Sequence, residues 1–375
     1  DRLEENTRNL LKVASVIGQD FFYKILKDVA TTIQDIDGRL SYLKEIEIIR
    51  ERRRMGEIEY FFKHSLAQEA TYESILHYKR KELHNKVAHS IERVFRHRLH
   101  EFYAMLAYHY SEAENLEKTE KYLLKAGEEA LKTSASNEAL YFYKEALNRY
   151  LKNPGDTVDA GIIAMHEKNI ALALYNRGML AESIPHFDNF LIYHQGKTSG
   201  KSTKAIPRVA SAILHFLITL YLPVFKFRKT PTQKEIESID LYQKKCKALG
   251  IIDPMRFFFE FLQLYKEATK FDIVEFELGL EVFMGASSLL SFSGISFRLS
   301  RKILDSAKSR VNVKNVNAFT LYDFLETIHN YFKGDWKAIR EYDEELVTKN
   351  LSMGKIWDAS QHLYWHGLAK IYQGS

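Results

Sequence analysis

A lysine-rich segment at 196–202, with the sequence GKTSGKS, comes closest to a catalytic motif in this chain. Phosphate-binding loops have the pattern Gly-x-x-x-x-Gly-Lys-Ser/Thr between a strand and a helix, because consecutive backbone N–H groups then surround the phosphates. The first glycine of that pattern falls on Gln195, and the preceding segment has a helical pattern. We therefore predict that Lys197 and Lys201 lie on an exposed connection between helices and bind no nucleotide.

Two histidines at helical spacing, His362 and His366, are the second candidate for chemistry, since imidazoles four residues apart share a helix face. Position 363 is leucine, so the His-Glu-x-x-His metalloprotease pattern is absent, and Tyr364 and Trp365 between the histidines favour packing. No Cys-x-x-Cys, Gly-x-Ser-x-Gly or Gly-x-Gly-x-x-Gly pattern occurs. We predict no catalytic residue, no metal site and no cofactor in this fragment.

The first 98 residues mix helical and strand-like patterns. Helical spacing of apolar residues fits the segments 10–17, 22–30 and 37–46. Short apolar runs at 48–49 and 58–62 then flank a charged turn that contains glycine, which predicts a β-hairpin. Three helices followed by a hairpin predict a winged-helix domain over residues 1–98, which further helices at 65–76 and 79–95 complete.

From residue 99 onward the chain has one helical pattern after another. Small residues recur where the paired helices of a tetratricopeptide repeat (TPR) cross, at Ala126, Gly127, Ala139 and Ala146. The sequence therefore predicts a mainly α fold, in which the winged-helix domain is followed by an α-helical, TPR-like solenoid over residues 99–375. We expect this array to be truncated at its C-terminus.

Glycine ends two apolar helical segments, at Gly178 and Gly334. Glycine readily adopts the left-handed conformation that closes a helix before the next one folds back. Helical patterns at 181–193 and 336–347 follow these glycines, which predicts that both lie at turns between helices.

Two segments, 195–235 and 285–315, fit the repeat poorly and are expected to be insertions or longer loops. The first contains the most apolar run of the chain, residues 209–227. A membrane-spanning helix needs about 20 uninterrupted apolar residues. His215 and Pro223 interrupt this run, so we predict a buried helix and no membrane association.

The composition excludes several classes of protein. The chain has 375 residues, of which 46% are hydrophobic, with 17 Gly, 6 Pro and a single cysteine. These values exclude a wholly disordered, collagen-like or disulfide-framework chain. A single cysteine favours a reducing compartment, so we expect a cytoplasmic location. The chain opens on aspartate, without an apolar signal segment, and we expect it to be a piece of a longer protein.

Basic residues cluster in the first domain. Seven lysines and arginines, against two glutamates, lie between residues 77 and 100, and Arg50 and Arg52–Arg54 lie on the predicted wing. A winged helix with a basic wing could bind DNA. The alternative is a solvated wing beside a basic helix that caps the repeats, and we favour this second interpretation.

A longer combination of residues is more specific. Tyr60–Tyr72 is followed by Arg80, Leu83 and His84, and then by the segments 106–110 and 122–127. In this order the residues resemble the region after the ATPase core of STAND-type signalling ATPases. The likeness is greatest to multidomain bacterial proteins in which a class III adenylate/guanylate cyclase or a protein kinase domain precedes the ATPase and its TPRs. It covers roughly residues 5–195.

The resemblance implies a regulatory fragment that is not itself an enzyme. In such proteins an ATPase core binds ATP or ADP with Mg²⁺, the winged helix closes over it, and the repeats sense a signal. The phosphate loop and acidic Mg²⁺ segment would lie before Asp1, so the ATPase core is expected as a partner in cis. A protein partner or signal ligand is expected on the concave face of the solenoid, which is rich in Tyr and Phe.

His64 is the one candidate site residue that the resemblance supplies. It corresponds to the winged-helix histidine of STAND proteins, which approaches the β-phosphate of bound ADP. The acidic residue that usually follows is Ser65 here. A histidine that caps or packs between hairpin and helix is the alternative.

Two other functions remain open at this stage. One is a transcription regulator whose winged helix binds DNA and whose repeats bind an inducer. The other is a self-contained nucleotide-binding enzyme that uses the lysine and serine of Gly200-Lys201-Ser202.

Overall fold

The computed structural model describes residues 3–152, 158–195, 205–221, 229–271, 276–308, 311, 316–352 and 356–374. The fold is mainly α, with a single small sheet among these residues. The chain has two compact units, Asp1–Arg177 and Gly178–Ser375, here called unit 1 and unit 2. The predicted GKTSGKS loop, with Lys197 and Lys201, lies outside the described residues. The predicted domain boundary at residue 98 stays a prediction.

Unit 1 begins with three helices and three strands in the order typical of a winged helix. They are α1 (Glu5–Ile17), β1 (Asp20–Phe22), α2 (Tyr23–Val29), α3 (Ile36–Glu45), β2 (Ile49–Arg54) and β3 (Glu57–Phe62). The sheet is antiparallel in the order β1-β3-β2. The predicted helices and hairpin are present, and the structure adds β1. A three-residue strand is too short to show an alternating pattern in the sequence.

The hairpin between β2 and β3 turns through Met55 and Gly56, which both have positive φ (53° and 75°). Consecutive residues with positive φ form the two-residue turn that matches the twist of paired strands. Ile49 of β2 lies opposite Phe62 of β3, and Phe21 of β1 lies opposite Tyr60 of β3. These side chains are buried against α1 and α2 and so form the first part of the unit 1 core.

The remaining helices of unit 1 follow the hairpin. They are α4 (Ser65–Glu73), α5 (His77–Val94), a 3₁₀ helix (Arg96–Phe102), α6 (Tyr103–Glu112), α7 (Leu116–Lys132), α8 (Ser136–Lys152) and α9 (Ala160–Asn176). One cluster of buried apolar residues has members from Leu10 in α1 to Ala146 in α8. The joints after α6 and α7 use Glu114 and Ser134 in the left-handed conformation, where the sequence offers no glycine as a signal.

All the secondary-structure elements described in unit 2 are helices. They are α10 (Leu180–Gln195), α11 (Ala205–Tyr221), α12 (Gln233–Ile252), α13 (Pro254–Ala268), α14 (Glu277–Ser293), α15 (Phe297–Lys308), α16 (Val316–Lys333), α17 (Glu344–Ser352) and α18 (Ile356–Gln373), with one 3₁₀ turn at Trp336–Ala338. Gly178 and Gly334 have φ of 80° and 79° at helix ends, as predicted. Helix α10 packs against α12 and α11 against α13, and from α12 onward helices adjacent in the chain pack together. Helix α16 also packs against α14 and α18.

Three expectations for unit 2 are corrected. The segment 285–315 is largely helical, in α14 and α15, and α11 covers much of 195–235. The helix expected over 336–347 begins at Glu344, because the Asp343 carboxylate accepts a hydrogen bond from the Leu346 N–H (3.0 Å) and caps the helix there.

Helix α11 was expected to be buried, but only one of its faces is. Ala212 and Phe216 are buried on the side that packs against α13, whereas Leu214 and Leu217 are exposed on the opposite side. Among the described residues, no helix combines the length and the apolar character that crossing a membrane requires.

A buried ion network joins α10, α12 and α13. The Lys245 side chain is 2% exposed, and its Nζ lies 2.8 Å from Asp188 Oδ1 and 2.9 Å from Glu260 Oε1. Arg256 contacts the same two carboxylates. A buried ammonium group is tolerated only with such compensation, so the network specifies how these three helices meet.

Gly127 offers a test of helix packing in unit 1. A Cβ at this position would lie 2.4 Å from Cε1 of the buried Tyr143 ring, so Gly127→Ala should lower the free energy of unfolding by about 1–3 kcal/mol. Urea unfolding measures this change.

Gly367→Ala is the matched control. Gly367 lies within α18, and no atom lies within 4 Å of a Cβ built there. Alanine should therefore be neutral or stabilise the protein by up to about 1 kcal/mol through its helix propensity. Equal effects of the two substitutions would contradict the close packing of α7 against α8.

Candidate functional site

His64 lies immediately before α4, on extended backbone (φ −127°, ψ 126°), and its side chain is exposed. The imidazole forms no capping hydrogen bond with α4, whereas the His64 carbonyl accepts from Ala67 N–H (3.1 Å). The structure therefore gives no support to the alternative of a capping or buried packing role. An exposed imidazole beside a helix N-terminus is chemically suited to an anion, because both can donate hydrogen bonds to it.

Exposed apolar side chains accompany His64. Leu66 on α4, and Leu76 and Tyr78 at the start of α5, are each between 66% and 75% exposed. Helix α4 has no fully buried residue. Large apolar side chains that remain in solvent often mark a surface that another protein covers.

The basic wing has a structural role that its sequence did not reveal. Glu59 is 1% exposed on β3, and its carboxylate accepts hydrogen bonds from Arg52 (2.5 Å) and Arg54 (3.2 Å) on β2. Arg52 also pairs with Asp20 on β1. A buried carboxylate needs such partners, so these two arginines stabilise the sheet itself.

A chain of three polar rings joins α4, α5 and α6. The Tyr72 hydroxyl lies 3.0 Å from Nε2 of His84, and Nδ1 of His84 lies 2.9 Å from Nδ1 of His109. Both histidines are fully buried. At this distance one Nδ1 donates its hydrogen to the lone pair of the other, so the accepting ring must be uncharged.

Burial lowers the pKa of both histidines below the ordinary value. The positive charge of Arg80 acts in the same direction on the pKa of His84, and His84 does so on the pKa of His109. The sequence identified His84 as part of the resemblance to STAND proteins but could not pair it with His109, which lies 25 residues further along the chain.

A cluster of aromatic rings lies on α14, α16 and α18 of unit 2 and on the 3₁₀ turn that follows α16. Neighbouring ring centroids are 4.9–5.9 Å apart, mostly in edge-to-face contact. Four of the seven side chains are 38–58% exposed. The members of this aromatic cluster are Phe292, Tyr331, Phe332, Trp336, Tyr364, Trp365 and Tyr372.

The structure brings a carboxylate to the two histidines that the sequence singled out. Asp323 Oδ2 on α16 lies 3.3 Å from Nδ1 of His362 and 3.4 Å from Nε2 of His366, both on α18. The two histidines are 1% and 4% exposed. Burial, followed by the charge of His366, lowers the pKa of His362. Sequence reasoning missed Asp323 because it lies 39 residues before His362 and has no motif of its own.

The comparisons with known proteins give a distant structural likeness. No protein-family model and no curated protein sequence matches this chain. The crystal structure of a Signal Transduction ATPase with Numerous Domains (STAND) protein with a tetratricopeptide repeat sensor, from Pyrococcus horikoshii, aligns with 100% of this chain at 12% sequence identity, with a TM-score of 0.27. The chain spans 61% of that protein's length. A likeness at this level transfers no residue role to this chain.

The buried pair of His84 and His109 predicts that the free energy of unfolding depends on pH. Below the ordinary histidine pKa of about 6.5 the unfolded chain binds protons that folded His84 and His109 exclude, so the free energy of unfolding falls as pH falls. From pH 6.5 to 4 we expect each of these two histidines to contribute on the order of 3 kcal/mol.

The contribution can be isolated by substitution. Urea unfolding of His109→Gln between pH 7 and 4 should show a shallower slope against pH than the unsubstituted chain. The exposed His89, replaced as His89→Gln, is the control and should keep the original slope. Identical slopes for all three proteins would show that the buried pair does not exclude protons.

Proposed function

We propose that this chain is a regulatory module in which TPR-like helices recognise a protein partner. The aromatic cluster on α14, α16 and α18 is the observation that carries this proposal. Aromatic side chains, above all Trp and Tyr, contribute a large share of binding energy at protein interfaces. A contiguous group of rings that is partly exposed on packed helices is therefore a suitable recognition surface.

The proposal extends to a nucleotide switch. We propose that an ATPase core of the STAND type, which binds ATP or ADP with Mg²⁺, acts in cis with residues 1–98, and that the repeats relay recognition to it. His64 would contact the ADP phosphate and hold the closed state. Its exposure beside the N-terminus of α4, next to exposed Leu66, supports this role. An adenylate cyclase or protein kinase output domain and a cytoplasmic location belong to the same proposal.

A DNA-binding regulator is the alternative function. Its support is the basic wing, but Arg52 and Arg54 pair with the buried Glu59 and Arg52 also with Asp20. Phosphate contacts by these two arginines would compete with that pairing. The geometry therefore favours the partner-recognition function.

The aromatic cluster predicts where a partner cross-links. A photoreactive amino acid at Tyr364 (58% exposed) should capture the partner in cells that express the protein, whereas the same residue at Tyr141 (64% exposed, on α8) should not. Once the partner is identified, Phe332→Ala should weaken its binding by at least about tenfold, since central aromatic residues commonly contribute more than about 1 kcal/mol.

Tyr141→Ala is the matched control for affinity and should change it by less than about threefold. Calorimetry with the purified partner measures both variants. Unchanged binding by Phe332→Ala, together with equal capture at Tyr364 and Tyr141, would exclude the aromatic cluster as the recognition surface.

The nucleotide switch predicts a second measurable effect. In the protein that carries the ATPase core, His64→Ala should speed ADP release by about 10- to 100-fold, because one hydrogen bond to a charged phosphate is lost. Thermal unfolding should hardly change, since the side chain is exposed and caps nothing.

His77→Ala is the matched control, because His77 is another exposed histidine at the start of a helix. Release of a fluorescent ADP analogue and thermal unfolding should be measured on the same samples. Unaltered release from a folded His64→Ala protein would end the phosphate-contact proposal.

A further inference from the structure

Asp323, His362 and His366 form a compact set of metal-ligating side chains inside unit 2. One potential ligand atom from each residue lies within 4.8 Å of the other two. Asp323 comes from α16, and the two histidines come from consecutive turns of α18. The two helices pack directly against each other, so the set spans a helix–helix contact.

Two of the three separations between donor atoms match those around a metal ion. Zinc lies about 2.0–2.2 Å from imidazole nitrogen and carboxylate oxygen. In a tetrahedral site, two donors at these distances are about 3.3–3.6 Å apart. Asp323 Oδ2 lies 3.3 Å from His362 Nδ1 and 3.4 Å from His366 Nε2. Both separations are longer than the donor–acceptor distance of a direct N–H···O hydrogen bond, which is usually about 2.7–3.2 Å.

His362 is the second, independent observation. It is 1% exposed, and within the described part of the chain neither of its ring nitrogens has a hydrogen-bond partner. Buried polar atoms are nearly always paired, and one without a partner calls for an explanation such as an ion. His362 Nδ1 faces the Asp323 carboxylate, and a metal ion between them would supply the missing interaction.

The neighbours of the set are suited to a catalytic-type or exchangeable site. Three protein donors leave a fourth position of a tetrahedral ion for water. Thr327, one turn after Asp323 on α16, places its hydroxyl 3.4 Å from His366 Nε2. The Tyr342 ring lies 6.0 Å from the His362 ring and shields one side.

We propose that Asp323, His362 and His366 bind one divalent transition-metal ion where α16 meets α18. Two imidazoles and one carboxylate suit Zn²⁺, Fe²⁺, Co²⁺ or Ni²⁺, whereas Mg²⁺ and Ca²⁺ prefer oxygen ligands alone. This inference is independent of the proposed partner recognition. It replaces the sequence-based expectation that His362 and His366 only pack.

Cobalt is the probe that reports both binding and geometry. The metal-free chain, titrated with Co²⁺, should develop the visible absorption of a four- or five-coordinate ion at one equivalent. Zn²⁺ should then displace the Co²⁺ and raise the midpoint of thermal unfolding. Asp323→Asn and His362→Gln should each weaken Zn²⁺ binding by roughly a hundredfold or more, since even loss of a residue that only orients a ligand costs about 10- to 100-fold.

His329→Gln is the matched control. His329 is a buried histidine on α16 whose Nδ1 lies 2.9 Å from the Ser300 hydroxyl, away from the set. The His329→Gln protein should bind Zn²⁺ with the same affinity as the unsubstituted chain. Circular dichroism should confirm that each variant is folded, and His366→Gln replaces any variant that is not.

Three results would overturn the proposal. The first is the absence of a coordinated Co²⁺ spectrum, and the second is equal loss of binding in His329→Gln. The third is a free energy of unfolding that depends on pH through these residues but does not change when Zn²⁺ is added. That result would show that the set is an ion pair between histidine and Asp323.

Discussion

The absence of a side chain at Gly127 determines how closely α7 and α8 approach, because the buried Tyr143 ring occupies the place of a Cβ. Tyrosine rings also pack between α6 and α7. Tyr110 and Tyr122 stack with centroids 5.7 Å apart, and Lys118 contacts both the Tyr110 hydroxyl (2.8 Å) and Glu92 (3.0 Å). The unit 1 core includes side chains of the small sheet and of helices as far as α8.

Local sequence signals predicted the elements well wherever the backbone itself demanded a residue type. Gly56, Gly178 and Gly334 all have positive φ, and each was expected at a turn. The joints at Glu114 and Ser134 have the same backbone conformation but no glycine. Neither could be located from composition, because ordinary residues close these helices through backbone hydrogen bonds, from Asn115 N–H to the Tyr110 carbonyl (2.9 Å) and from Ala135 N–H to the Ala130 carbonyl (2.8 Å).

The sequence was less informative about the candidate sites, since their geometry depends on helices that are distant in the chain. Spacing identified His362 and His366 as one face of a helix, but Asp323 carries no signal until α16 is packed against α18. The pairing of His84 with His109 is of the same kind. In both cases the role of a buried polar group depends on the partner that it contacts, and only the folded structure identifies that partner.

The aromatic cluster and the set of Asp323, His362 and His366 share their supporting helices. Phe332 and Asp323 belong to α16, and Trp365 lies between the two histidines' turns on α18. A ligand that fixes α16 against α18 therefore also fixes the rings that a partner would contact. If a partner binds the metal-loaded form more tightly by some factor, the metal must bind the partner-loaded form more tightly by the same factor. Partner binding at the aromatic cluster and metal binding at Asp323, His362 and His366 would thus be linked by one coupling free energy, which is the same whichever ligand binds first.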